Sequence, residues 1–313
     1  MNDTLRLAEI ALPVVLGLTL LALVCNVVVV AGRRPDAARR SGSEKRVAVG
    51  VGASGDSRDR RSSEASAAGA AALAAPRGLR LASYATAFTL VATVLLTVYI
   101  AVRWAETGHG PFSNQHEFAV SFVWGILVSY LVAEWRLGVR ALAIGALPVA
   151  AGLTLYAMQL DAGVQPLVPA LQNSLLLTLH VGFAVVAYGA ACVSFAAAVL
   201  YLVHPRLRLR SLPGRQTFDE VGYKAAVVTF PTLTVMIVLG AVWADTAWGR
   251  YWGWDPKETA ALVTWLIYGA YLHARVSRGW QGKRSAWLLI LGFAAVLFAY
   301  FGNHFFGGLH SYG

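Results

Sequence analysis

Charge is scarce in this chain. Of 313 residues, 13% are Asp, Glu, Lys or Arg, against roughly 25% in an ordinary soluble protein, which excludes a domain with a fully solvated surface. Cysteine is scarcer: Cys25 and Cys192 each fall within an apolar run and form no C-x-x-C, so neither a disulfide framework nor a thiol relay is indicated, and both are read as buried structural residues. No internal repeat is present. The first apolar run leads into Arg33 and Arg34 without a small-residue cleavage site, so it reads as an anchor that stays in place.

Apolar residues are abundant, at 57%. Eight runs approach or exceed the ~20 residues needed to cross a hydrocarbon core: Ile10–Val30, Leu81–Val102, Phe118–Ala133, Val139–Met158, Asn173–Val203, Ala225–Ala244, Thr259–Leu272 and Ala286–Phe301. Lipid offers backbone groups no hydrogen bonds, so each run is expected to be a helix. The predicted fold is an all-α, polytopic bundle of about eight transmembrane helices. Three parts follow: an anchor over residues 1–31, a flexible basic linker over 32–79 whose Ser41–Ala75 stretch is rich in Ser, Ala and Gly, and a core over 80–313 carrying a loop at 244–258.

A net charge of +10 raises the question of nucleic acid, and the placement of the basic residues answers it. With the N-terminus outside, 22 of the 26 Lys and Arg fall in cytoplasmic segments, leaving Arg6, Arg103, Arg250 and Lys257 outside. This asymmetry puts both termini outside and makes the charge a mark of topology and anionic lipid contact. The expected location is a bacterial-type plasma (inner) membrane or its organelle equivalent.

On the outer side lies Trp248-Gly249-Arg250-Tyr251-Trp252-Gly253-Trp254-Asp255-Pro256-Lys257-Glu258. Indole faces bury large flat π systems, and glycines let a ligand approach the backbone, so a flat aromatic ligand such as haem is expected here. An interfacial aromatic belt also gathers Trp and Tyr, but three indoles in seven residues with interleaved glycines are denser than a belt needs. Asp255, Pro256 and Glu258 fit a helix start, so the carboxylates either shape the loop or touch the ligand. Arg250 and Lys257 can each pair with a haem propionate or with lipid headgroups.

The histidines sort by depth. His180 sits roughly 10 Å below Asn173 on a helix rising ~1.5 Å per residue, and His310 follows the last apolar run; both can approach the Trp loop, and imidazole is a common axial donor to haem iron. His304 is an alternative to His310. His273 lies roughly 21 Å below Thr259, in the inner half of the membrane, where an ionisable group is by default a functional candidate unless it snorkels beside Arg275. His109, His116 and His204 are expected to be solvated or interfacial.

The pattern Trp248-Gly249…Trp252…Trp254-Asp255…Glu258 resembles the signature of the WWD haem-handling proteins of cytochrome c maturation. From about Leu81 onward the chain is similar to the CcsA (ResC) family of System II cytochrome c synthases, through Pro111-Phe112-Ser113-Asn114, Leu179-His180-Val181, Tyr271-Leu272-His273 and Gly308-Leu309-His310-Ser311-Tyr312. The resemblance implies that haem b is bound as substrate, with Trp248, Gly249, Arg250, Trp252, Trp254, Asp255 and Glu258 around it. It further implies His180 and His310 on the iron, and an inner haem site at His273. It implies a CcsB (ResB) membrane partner, an apocytochrome c with a C-x-x-C-H motif, a thiol-reducing thioredoxin-like protein, and haem lyase activity on the outer face. Gln115-His116 stands where an aromatic residue is expected, Ala260 replaces an expected Trp, and Ser41–Ala75 looks like an insertion. No residue is an evident acid or base. The alternative is a CcmC-like haem exporter or chaperone without attachment activity, although the eight predicted helices exceed the six or so of that group.

Overall fold

Apolar runs without intervening charge become long helices, because only intra-segment hydrogen bonds satisfy their backbone in lipid. The computed structural model describes residues 10–32, 77–110, 112–163, 174–207, 212–302, 306 and 308. Over these it holds eight α-helices: α1 (Ala11–Ala31), α2 (Arg77–Thr107), α3 (Gln115–Leu137), α4 (Ala143–Ala157), α5 (Ser174–Val203), α6 (Arg215–Trp248), α7 (Pro256–Arg278) and α8 (Lys283–Phe301). A short 3-10 turn at Arg140–Leu142 leads into α4. Among the described residues there is no strand. The Ser41–Ala75 linker lies outside the described residues.

Seven of these helices, α4 counted together with the 3-10 turn before it (Arg140–Ala157), are long and apolar enough to cross a membrane; α7 is the exception. Its 23 residues span roughly 34 Å at the helical rise, but Lys257, Glu258, Arg275 and Arg278 at its two ends lower its mean hydropathy. Several helices outrun the apolar stretches read from sequence. The α6 helix continues through Trp248, and α2 begins at Arg77, because polar residues at the ends keep the helical hydrogen bonding beyond the apolar segment.

The expected anchor is part of the bundle. Leu12, Val15 and Ala22 of α1 join the same buried cluster as Leu96, Ile126, Leu147 and Phe293, and α1 packs on α2 and α4. The α5–α6 pair is the most extensive helix contact. Its α5 partner is studded with small residues, among them Ala187, Ala191, Ala196 and Ala197, all buried; small side chains let backbones approach where water supplies no driving force.

Successive helices run in opposite directions, so the chain connections collect at two ends. One end gathers the 108–114 and 249–255 segments with the C-terminus of α4, tied by Arg103 Nη1 donating to Ala162 O at 2.9 Å and Asn114 Nδ2 to Gly163 O at 3.3 Å. The other end is closed by Asp219, which pairs with Arg275 and accepts from Gly282 N at 2.9 Å. There too Glu134 meets Arg140 at 3.3 Å and Tyr130 Oη at 2.7 Å.

Candidate functional site

The Trp-rich segment is shaped by two helix ends. Helix α6 stops at Gly249, whose left-handed backbone (φ 70°) lets its N–H reach Asp245 O at 2.8 Å, an αL cap of the kind glycine supplies most readily. Seven residues later α7 starts with Pro256 behind a complete capping box: Asp255 accepts from Lys257 N at 2.9 Å, and Glu258 Oε2 accepts from Asp255 N at 3.2 Å and Gly253 N at 2.8 Å. The two carboxylates are thereby engaged in holding the loop. Trp254 takes a positive φ of 57°, an uncommon conformation for a bulky residue; it turns the indole outward, 70% exposed.

The three indoles do not form one flat shelf. Trp252 and Trp254 meet edge-on with centroids 5.7 Å apart, while Trp248 packs edge-on against Trp243 at 4.7 Å. Trp252 and Tyr251 face a cavity; Arg250 is exposed, with its guanidinium lying over Gly253.

That cavity encloses about 1440 Å³ of non-atom space, part of it open to the outside, between α3, α5, α6, the start of α7 and the end of α8. Its walls are mostly apolar: Phe118, Phe122, Val181, Val185, Ile237 and Trp243. A concave, mainly apolar site with a few convergent polar groups is the usual form of a small-molecule pocket.

His180 is the first of those polar groups. It projects from α5 onto α6, where Nδ1 donates to Met236 O at 2.8 Å. The ring stacks nearly parallel to Trp243, 13° between planes and 6.4 Å between centroids. A neutral imidazole that donates through Nδ1 carries its lone pair on Nε2, so the backbone bond sets the tautomer suited to metal ligation. Gly240 makes this possible. A Cβ there would lie 2.7 Å from His180 Cε1, and one turn of helix separates residue 240 from the Met236 carbonyl that the ring reaches.

Lys257 is the second, half-buried, with Nζ 5.1 Å from the centroid of Phe118. Burial lowers its pKa from the ordinary lysine value, and Asp255 acts in the opposite sense. Third comes Tyr300, near the end of α8, whose hydroxyl is buried without a hydrogen-bond partner among the described residues while the residue lines the cavity.

The segment that supplies Ser113, Asn114 and Gln115 to the rim is fixed from below. Glu117, 1% exposed, accepts from Arg103 Nε at 3.0 Å and Nη2 at 2.8 Å with one oxygen, and from Ser113 N and Oγ at 2.8 Å with the other. Asn114 caps α3 by accepting from Glu117 N at 2.9 Å. Arg103, grouped from sequence with the outer charges, is thus buried in an ion pair whose polar groups are bonded throughout.

His116 departs from expectation in the same way. It is 2% exposed rather than interfacial, bonded to Tyr99 Oη at 2.6 Å and Ala157 O at 2.9 Å; two partners on neighbouring helices remove the need for solvent. His109 and His204 are half-buried. His273 is exposed on α7, 3.4 Å from Ser277 Oγ, and seventeen residues below the helix start, roughly 25 Å by rise, so it shares no cavity with His180. His304 and His310 lie outside the described residues. Gly308 is described, and it runs so close to Asp255 and Pro256 that a Cβ there would collide with them.

The cavity and its rim fall within one family match: residues 112–310 fit the model of the cytochrome c assembly proteins. The chain belongs to that family. It is 35% identical over 253 residues to the cytochrome c biogenesis protein CcsA of Guillardia theta, covering 72% of this chain and 84% of that one. With CcsA of Synechococcus elongatus it shares 35% over 295 residues, covering 77% and 90%, and with CcsA of Porphyra purpurea 34% over 289 residues, again 77% and 90%. Among solved structures the cytochrome c haem lyase CcmF superposes with a TM-score of 0.59 at 20% identity, over 96% of this chain and 47% of that one. The chain therefore spans about half the length of CcmF, and at that identity the likeness is one of fold.

Of the residues singled out in the sequence, the structure sets His180, Trp252, Lys257 and Glu258 on the cavity wall and Asp255, Pro256 and Glu258 in the capping box. Sequence reasoning missed Trp243, Met236, Gly240 and Tyr300, which lie inside apolar helices and declare themselves only through packing.

Proposed function

We propose that this cytochrome c assembly protein binds haem b as a substrate in the cavity, presents it on the outer membrane face and takes part in attaching it to apocytochrome c. The single observation that carries the reading is His180, held by its bond to Met236 O with Nε2 as the acceptor nitrogen, on the wall of an apolar cavity rimmed by Trp252. In this reading His180 is one axial ligand and His310 the other. Gly308, two positions before His310 in the sequence, lies against Asp255 of the loop. Trp252 contacts the macrocycle directly and Trp248 supports Trp243. Trp254 and Arg250, exposed beside the opening, meet the incoming substrate; Gly249, Asp255 and Glu258 hold the loop's shape.

Attachment adds each cysteine of a C-x-x-C-H motif across a vinyl group: sulfur bonds to the inner vinyl carbon, the π bond breaks, and the thiol's proton goes to the terminal carbon. The chain's own contribution is positioning, since a fixed, exposed vinyl edge makes the encounter nearly intramolecular. A CcsB (ResB) partner completes the synthase, with a thioredoxin-like protein keeping the substrate thiols reduced. His273, on the exposed face of α7, is the inner site through which haem arrives.

The test is the absorption spectrum of detergent-purified protein. Wild type is expected to show the Soret and visible bands of six-coordinate bis-imidazole haem, and the His180→Gly/His310→Gly double variant is expected to lose them; retention of those bands by the double variant overturns the ligand assignment.

A further inference from the structure

The polar groups around Lys257 are engaged elsewhere. Ser113 and Asn114 serve Glu117, Glu258 serves the amides of Gly253 and Asp255, and Asp255 caps α7 through Lys257's own backbone N–H. Among the described residues no carboxylate forms an ion pair with the Lys257 ammonium. It rests instead over the Phe118 ring on the cavity wall, where a cation–π contact replaces only part of its lost hydration. Arg250, the other basic residue of the loop, does not line the cavity.

We propose that Lys257 binds a carboxylate of the cavity's ligand, fixing the propionate edge of the macrocycle at the Phe118 rim. The proposal rests on the haem reading above and extends it from the iron to the ligand's periphery. An axial ligand alone leaves a macrocycle able to turn about the iron–nitrogen axis. Haem b carries both propionates on one edge, so, for a given face of the macrocycle turned toward His180, a cation at one point of the rim selects one rotational setting and with it the positions of the two vinyl groups. Two cysteines that must reach two different vinyls require that selection. Burial also suits Lys257 to this contact, because a carboxylate entering beside it restores the charged form that burial disfavours.

The experiment compares haem with its dimethyl ester, in which both carboxylates are neutral, by spectroscopic titration of the full chain in detergent. Wild type is expected to bind haem about tenfold more tightly than the diester, the usual size of one charge-assisted contact. Lys257→Gln is expected to lose that tenfold for haem and to leave diester binding unchanged, and Lys257→Arg to restore most of it. Equal affinity of the wild type for both compounds overturns the proposal, as does an equal loss of both in Lys257→Gln. The first comparison uses no variant, so a folding defect in Lys257→Gln cannot obscure it. Binding of neither compound by the wild type overturns the haem reading itself, and the carboxylate contact with it, whereas bis-imidazole bands with no discrimination between the compounds overturn the Lys257 contact alone.

Discussion

A histidine ring can lie flat against a neighbouring helix only where that helix lacks a side chain, and Gly240 supplies the gap for His180. A methyl group at Gly240 would stand 2.7 Å from His180 Cε1 and 2.8 Å from Nδ1, so the ring must shift, and the bond to Met236 O that holds it is expected to weaken. Gly240→Ala is therefore expected to lower haem occupancy of purified protein about tenfold or more, the cost of a weakened orienting hydrogen bond and a displaced ligand. Gly152→Ala, where nothing lies within 4 Å of the added carbon, is expected to leave occupancy unchanged; the ratio of Soret to protein absorbance measures both. His180 was legible in the sequence because depth along a helix follows from counting residues. Gly240 and Met236 were not, since they lie 60 and 56 positions further along the chain and meet the ring only after α5 and α6 pack. The same holds for Tyr300, whose buried hydroxyl reads in sequence as one aromatic among several.

At the scale of elements, what is local was legible and what is paired across helices was not. Asp255, Pro256 and Glu258 encode a helix start within four residues, and the capping box forms as the spacing indicates. Arg103 and Glu117, by contrast, sit near the ends of two apolar runs, where charges ordinarily meet solvent or headgroups. Only the packing of α2 against α3 shows them as a buried pair supporting the cavity rim. Removing one partner leaves the other charge buried and uncompensated, at a cost of about 3–5 kcal/mol. Glu117→Ala is accordingly expected to lower the thermal unfolding midpoint in detergent markedly. The double variant Arg103→Met/Glu117→Leu is expected to recover much of that loss, because it leaves no orphaned charge. If the rim loop depends on Ser113 being held by Glu117, the recovered double variant still binds haem less well than wild type; separate stability and titration measurements resolve the two effects.

For the whole molecule, eight apolar runs foretold eight helices, and alternation of direction then brings the 108–114 segment, the loop at 249–255 and the tail at Gly308 to one end. The amphipathic character of α7 follows from its position: it opens at the cavity with Lys257 and Glu258 and closes at the opposite end with Arg275, which pairs with Asp219 of α6. The basic clusters around Arg140, Arg206, Arg215 and Arg278 share that opposite end, the distribution that supports the proposed orientation, in which the positive-inside rule assigns that end to the cytoplasm and the cavity to the outer face. A haem exporter and an attachment enzyme both fit this layout, and they differ in what they produce. Co-expression of the chain with a ResB-type partner and an exported reporter apocytochrome, in a host lacking its own maturation system, is expected to yield haem that stays with the reporter through denaturing electrophoresis. Haem accumulating outside with no covalent product would favour export without attachment. The His180→Gly/His310→Gly variant adds the needed internal comparison. If the chain positions the macrocycle for thiol addition, covalent product falls with loss of the iron ligands; if attachment belongs wholly to the partner, supplying haem to the outer face restores product in that variant to the wild-type level.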